Sequence, residues 1–143
     1  MIASSRAYIK AQIQKCNSDY KEIVDVFNDD DIAISEVKNG YKVSFGDLTS
    51  NYDGNFNTDV VDVSLEVYKT AKQGQELGDF DGLYDFSISI KNTLLDPLIV
   101  KNEDSFSDII WLGLSPEPLP TNDRAFKILL TFQIRKDFDY QGI

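Results

Sequence analysis

The residues best placed to do chemistry lie between Asn51 and Asp59. The run Asn51-Tyr52-Asp53-Gly54-Asn55-Phe56-Asn57-Thr58-Asp59 sets oxygen-bearing side chains on alternate positions, as a calcium loop does. Two departures count against a calcium site. The glycine falls at the fourth place rather than the sixth, and the twelfth residue is Asp62 where a bidentate Glu is needed. The same residues make an ordinary polar turn, so no metal is expected here. Asp29-Asp30-Asp31 could clamp a hard cation or a basic partner, but three adjacent carboxylates also make a solvated turn, and the turn is the expectation. Carboxylate pairs are plentiful, yet none stands in a pattern that would push two pKa values apart, as glycoside hydrolysis requires. Gly74 and Gly78 lack the Gly-Lys-Ser or Gly-Lys-Thr that completes a phosphate loop.

The chain has no histidine and one cysteine, Cys16. That removes the usual general base, the Ser-His and Cys-His nucleophile pairs and the commonest transition-metal ligand. A zinc site built from Cys and His is excluded. Cys16 falls in phase with an apolar helical stripe, which predicts a buried, inert thiol. No catalytic residue, cofactor site or metal site emerges, and the expectation is a protein that is not an enzyme.

Charge narrows the partners. Lys and Arg number 14 against 24 Asp and Glu, for a net charge of −10. Grip on phosphate backbones comes from Lys and Arg, so general nucleic-acid binding and adhesion to anionic membranes are disfavoured. Apolar residues make up 42% of the 143, enough for a packed core in a single domain spanning 1–143. No stretch resembles a signal peptide or approaches the roughly 20 apolar residues of a membrane span, so a cytoplasmically made, soluble chain is expected.

These residues need elements to hold them. Phe126, Ile128, Leu130, Phe132 and Ile134 alternate, which puts five large apolar groups on one face of a central or near-central strand. Ser4 or Ser5 can cap a helix running to about residue 27, with Ile9, Ile13, Cys16, Tyr20, Ile23 and Phe27 on one stripe. Asn17-Ser18-Asp19 could interrupt it and recap a second helix at Tyr20. Ile32–Val37 could form a short edge strand. Asn39-Gly40 is a hairpin signal, and Tyr41, Val43 and Phe45 then alternate in a strand fading near Leu48. Thr49–Asp59 is expected as a long loop. Val61, Val63, Leu65 and Val67 form the next strand. Asp79 or Asp81 would cap a helix to Asp96, stopped by Pro97. Phe86–Ile90 also alternates, but the length of the segment favours helix. Ile109–Leu114 reads as a strand that could be buried on both faces. Pro116, Pro118 and Pro120 are expected in the connection after it. From about residue 136 a charged tail carries Phe138 and Tyr140. The fold class is therefore α+β: about four strands, mostly antiparallel, two helices on one face, in the order α-β-β-α-β-β.

Ser4-Ser5-Arg6-Ala7-Tyr8-Ile9-Lys10-Ala11 opening the first helix, and Ala125-Phe126-Lys127-Ile128-Leu129-Leu130-Thr131-Phe132 as the last strand, resemble the tail-terminator (tail-completion) proteins of long-tailed bacteriophages. The element order is similar across nearly the whole chain. The resemblance implies a virion protein, assembled in the bacterial host cytoplasm, that forms a homohexameric ring on the tail tube. The ring would stop tube growth and meet a head or neck connector protein. DNA would be a partner only in passage, with like charge along the channel keeping it from sticking.

Within such a ring, Asn51, Tyr52, Asp53, Asn55 and Phe56 of the loop, with Phe138 and Tyr140 of the tail, are the expected contacts between copies. Long loops on rigid sheets often carry contacts. Fraying would equally explain the tail. Two other classes fit the same residues: another head-tail connector, or a small acidic inhibitor of immunity type, steered to a basic partner by its carboxylates.

Overall fold

The computed structural model describes residues 1–23, 39–54, 56–101, 106–117 and 125–139, with backbone alone at 53, 98, 101 and 139. In order, the elements are α1 (Ile2–Cys16), β1 (Lys21–Glu22), β2 (Asn39–Asp53), β3 (Phe56–Thr70), α2 (Glu76–Leu94), α3 (Pro97–Lys101), β4 (Asp108–Glu117) and β5 (Ala125–Asp139). The class is α+β. The sheet, however, has five strands, ordered β1-β2-β3-β5-β4, where about four were expected. The additional strand, β1, runs parallel to β2; every other pairing is antiparallel.

The alternating apolar residues do what their spacing demands. Ile128, Leu130, Phe132 and Ile134 of β5, with Val61, Val63, Leu65 and Val67 of β3, point to one face and are at most 2% exposed. Ile9 and Ile13 of α1 and Leu83, Ile90 and Leu94 of α2 close over that face. Burying each such side chain contributes about 1.5–3 kcal/mol, which anchors α1 and α2 to β3 and β5. β5 lies between β3 and β4, as an inward-facing apolar strand should.

Several expectations are corrected. α1 stops at Cys16, well short of residue 27. Asn17 turns extended, and its Oδ1 accepts the Asp19 N–H at 2.9 Å, a local bond that competes with helix. No second helix starts at Tyr20; β1 begins at the next residue, Lys21, and the Tyr20 ring stacks on Phe86 at 3.9 Å. Neither Ser4 nor Ser5 caps α1, whose N-cap is Met1. Asn39-Gly40 makes no turn but opens β2, with Gly40 opposite Tyr68. In α2, Gln75 takes the N-cap position, while Asp79 accepts the Lys72 N–H at 2.8 Å. Phe86–Ile90 is helical, and Pro97 begins the short α3, where a missing N–H costs nothing. Ile109–Leu114 lies in an edge strand with Leu112 56% exposed, not buried on both faces. Pro116 belongs to β4, opposite Ile128. Asp29-Asp30-Asp31, Ile32–Val37, Pro118 and Pro120 lie outside the described residues.

The largest correction concerns Thr49–Asp59. It is no loop. β2 continues through Asp53, Gly54 turns the chain at φ 61°, and β3 starts at Phe56. The fading of the pattern near Leu48 is a register shift between Phe45 and Leu48. One extra residue there moves the inward-facing set from odd to even positions, which hides the strand from a period-two search. The tail is likewise strand: β5 pairs with β3 as far as Asp139.

Candidate functional site: an uncovered arm

Beyond Leu48, Val61 and Ile134 the inner three strands run on past the core. Thr49–Asp53, Phe56–Val60 and Arg135–Asp139 form a three-stranded arm. β4 does not follow; its first residue, Asp108, is level with Arg135. The arm carries exposed apolar groups: Leu48 at 51%, Phe56 at 52% and Tyr52 at 74%.

Register sorts the side chains. Residues directly opposite one another share a face. Tyr52, Asn57 and Phe138 therefore form one row, on the face that continues the core. Phe56 falls on the other face with Thr58. The arm is laced by polar contacts. Ser50 Oγ donates to Asp59 Oδ1 at 2.5 Å, and Asn57 Nδ2 donates to the same oxygen at 3.2 Å. Thr58 Oγ1 donates to Asp137 at 3.1 Å, and the Asp137 N–H donates to Ser107 Oγ at 3.0 Å. Arg135 lies 3.5 Å from Asp137 and 3.8 Å from Asp108.

Among the described residues of the candidate calcium loop, Asn51 and Thr58 sit on one face of the hairpin and Asn57 and Asp59 on the other. Among the described residues no group of three or more His, Cys, Asp or Glu could hold a metal ion. No helix there is long and apolar enough to cross a membrane. Cys16 is half-buried, its Sγ 3.4 Å from Thr93 Oγ1.

No family model matches the chain, and no curated protein matches it either. Solved structures share its fold. A chain of the virion of a native gene transfer agent (GTA) particle superposes with a TM-score of 0.58 at 14% identity. The match covers 91% of this chain and 92% of that one. At that identity the likeness shows the fold alone.

The residues expected at an interface fare unevenly. Asn51, Tyr52, Asp53 and Phe56 sit at the arm's tip, and Phe138 joins them across β3 although it comes from the other end of the chain. Asn55 and Tyr140 lie outside the described residues. What the sequence missed is that the hairpin and the C-terminal strand build one object.

The sheet face away from the helices is polar. Ser44, Ser64, Thr131 and Gly113 make a row of small residues across it. Beside the row, Lys127 Nζ lies 3.1 Å from Glu66 and 3.3 Å from Glu117, and the Tyr68 hydroxyl donates to Glu66. Burial alone lowers the Lys127 pKa, but the two carboxylates outweigh it and hold it above its ordinary value. Tyr68 is pushed up by burial first and by its bond to Glu66 second. These groups satisfy one another in a closed ion network. A recess of about 380 Å³ lined by Asn39, Lys69, Thr70, Lys72 and Asp79 contains the Lys69–Asp79 pair at 3.8 Å. An oxyanion hole or an activated nucleophile is not assembled among these residues.

Proposed function

We propose that this chain is a non-enzymatic structural protein of a phage-like particle, and within that class a tail terminator. Six copies would form a ring that caps the tail tube, stops its growth and meets a head or neck connector. The observation that carries the proposal is the near full-length fold likeness to a chain of the gene transfer agent virion. The arm supports it, because exposed Tyr52 and Phe56 on a ribbon that leaves the core make a surface for a neighbour.

Native mass spectrometry of the full chain, alone and mixed with purified tail tubes, tests the assembly. A six-copy species is expected. Single copies under both conditions contradict it.

The acidic balance gives the ring a further property: a channel of net negative charge lets DNA pass without sticking. Reversing Asp62, an exposed acid on the helix-free face, to Lys should then slow DNA exit from particles. Unchanged exit would count against a lumenal place for that face.

The net charge of −10 also favours a second reading, an acidic inhibitor steered to a basic protein. That reading predicts one copy bound tightly to one basic partner and indifference to tail tubes.

A further inference from the structure

The edges of this sheet are not guarded alike. Along β2, β1 covers Gly40 and Tyr41, Arg6 Nη1 donates to the Val43 carbonyl at 3.0 Å, and the register shift after Phe45 breaks the ladder. On β4, a shift between Trp111 and Gly113 and the proline at 116 do the same work. Such devices are how sheets avoid unwanted pairing. From Leu48 to Asp53 β2 has none of them. No described strand lies beyond it, and it holds no Pro, Lys or bulge.

The segment Leu48-Thr49-Ser50-Asn51-Tyr52 also bears no charge. Copies of a chain with net charge −10 repel one another, and they come together most easily where no charge is brought close. Side-chain direction shows which backbone groups face outward. Tyr41 and Val43 point into the core, and their carbonyls turn away from β3, to the Ile23 N–H and to Arg6. On one strand, residues facing the same way turn their backbone the same way. Ser50 and Tyr52 share that facing, being opposite Asp59 and Asn57 in the row set that includes Val61. Their N–H and C=O groups therefore point out of the sheet edge.

Building on the ring proposed above, we infer that this edge is completed by β4 of a second copy. β2 runs against β3, β3 against β5 and β5 against β4, so β2 and β4 run in opposite senses. Rotation about a ring axis keeps each strand's sense along that axis. β4 of one copy thus meets β2 of the next antiparallel, the more stable pairing. β4 keeps an open stretch for this, from Asp108 to Trp111, ahead of its bulge; Asp108 is level with Thr49 through Arg135 and Val60, so the strands lean from the ring axis for this stretch to reach Ser50 and Tyr52 of the next copy. Two different edges meet, which is the heterologous contact that closes into a ring.

Hydrogen exchange on the assembled full chain, free or on tail tubes, tests the pairing. The Ser50 and Tyr52 amides should exchange at least about tenfold more slowly in the assembly than in the monomer. Ser50→Pro, which removes an outward donor, should abolish assembly while the melting temperature stays near that of Ser50→Ala, which keeps the donor. Tyr52→Pro should repeat the result at a second position. The inference is overturned if either proline variant forms rings of the wild-type copy number, or if both amides exchange as fast in the ring as in the monomer. Either outcome leaves the ring itself standing. A wild-type chain that stays single beside tail tubes overturns the ring, and the pairing with it.

Discussion

Phe138 stands directly across the β3–β5 ladder from Asn57, and the same Asn57 stands across β2–β3 from Tyr52. Asn57 is only 5% exposed, so one asparagine seats two aromatics on either side of it far from the core. The C-terminal strand thereby stiffens the hairpin into an arm. A two-stranded ribbon alone would be marginal in water; a third strand is what makes it persist.

The aromatic tip should matter for assembly and little for folding. Tyr52 and Phe56 are mostly exposed, so Tyr52→Ser and Phe56→Ser should each change stability by less than about 0.5 kcal/mol. Self-association by light scattering should weaken in both. A variant with wild-type association would show the tip to be idle.

Core burial predicts the opposite pattern. Phe132 is fully buried on β5, with Trp111 stacked at 6.4 Å. Phe132→Ala should cost about 3–5 kcal/mol, read from the denaturant midpoint. A loss under about 1 kcal/mol would mean the strand is not the centre of the core.

Much of this core was readable beforehand, because Phe126–Ile134 and Val61–Val67 keep an unbroken period of two. The arm was not. The extra residue near Gly46 shifts the phase, and beyond it Ser50, Asn57 and Asp59 put polar side chains on the face that elsewhere is apolar, so alternation ceases to mark the strand. The interface expectation rests on a long polar loop at Thr49–Asp59 and on aromatics flanked by charges in the tail. That Phe138 and Tyr52 share a row is a long-range pairing, which no local pattern encodes. β1, two residues long, gives no periodic signal at all.

Gly54 turns the arm's hairpin with φ of 61°, a conformation L-residues adopt at a cost. A Cβ there would meet nothing within 4 Å, so the penalty is backbone strain alone. Gly54→Val should destabilise the tip by about 1–2 kcal/mol, while Gly54→Asn, which tolerates this region better, should cost less. Tip amides should exchange faster in the valine variant. Equal exchange in both would contradict the turn.

Alkaline pH should unfold the protein through its buried phenols. Burial first, and the negative charge of Asp79 second, push Tyr20 up to about 12 from its ordinary 10. Below pH 10 the phenol keeps its proton folded or unfolded, and full stability is present. Between pH 10 and 12 the unfolded chain releases a proton that the folded chain retains, so stability falls. The Tyr20 share is about 2–3 kcal/mol, and Tyr68 adds to it in the same direction. Unfolding free energy against pH should be level near neutrality and drop above 10. Tyr20→Phe should make that drop shallower, and an unchanged slope would rule out this cause.

The proposed function requires copies of this chain to close on one another at the end of a tube. The most direct measurement is the length of tail tubes polymerised in vitro, imaged by electron microscopy with and without added protein. Tubes that stop lengthening, each ending in a ring of this chain, are the predicted result. Tubes that grow on regardless, with bare ends, would contradict it.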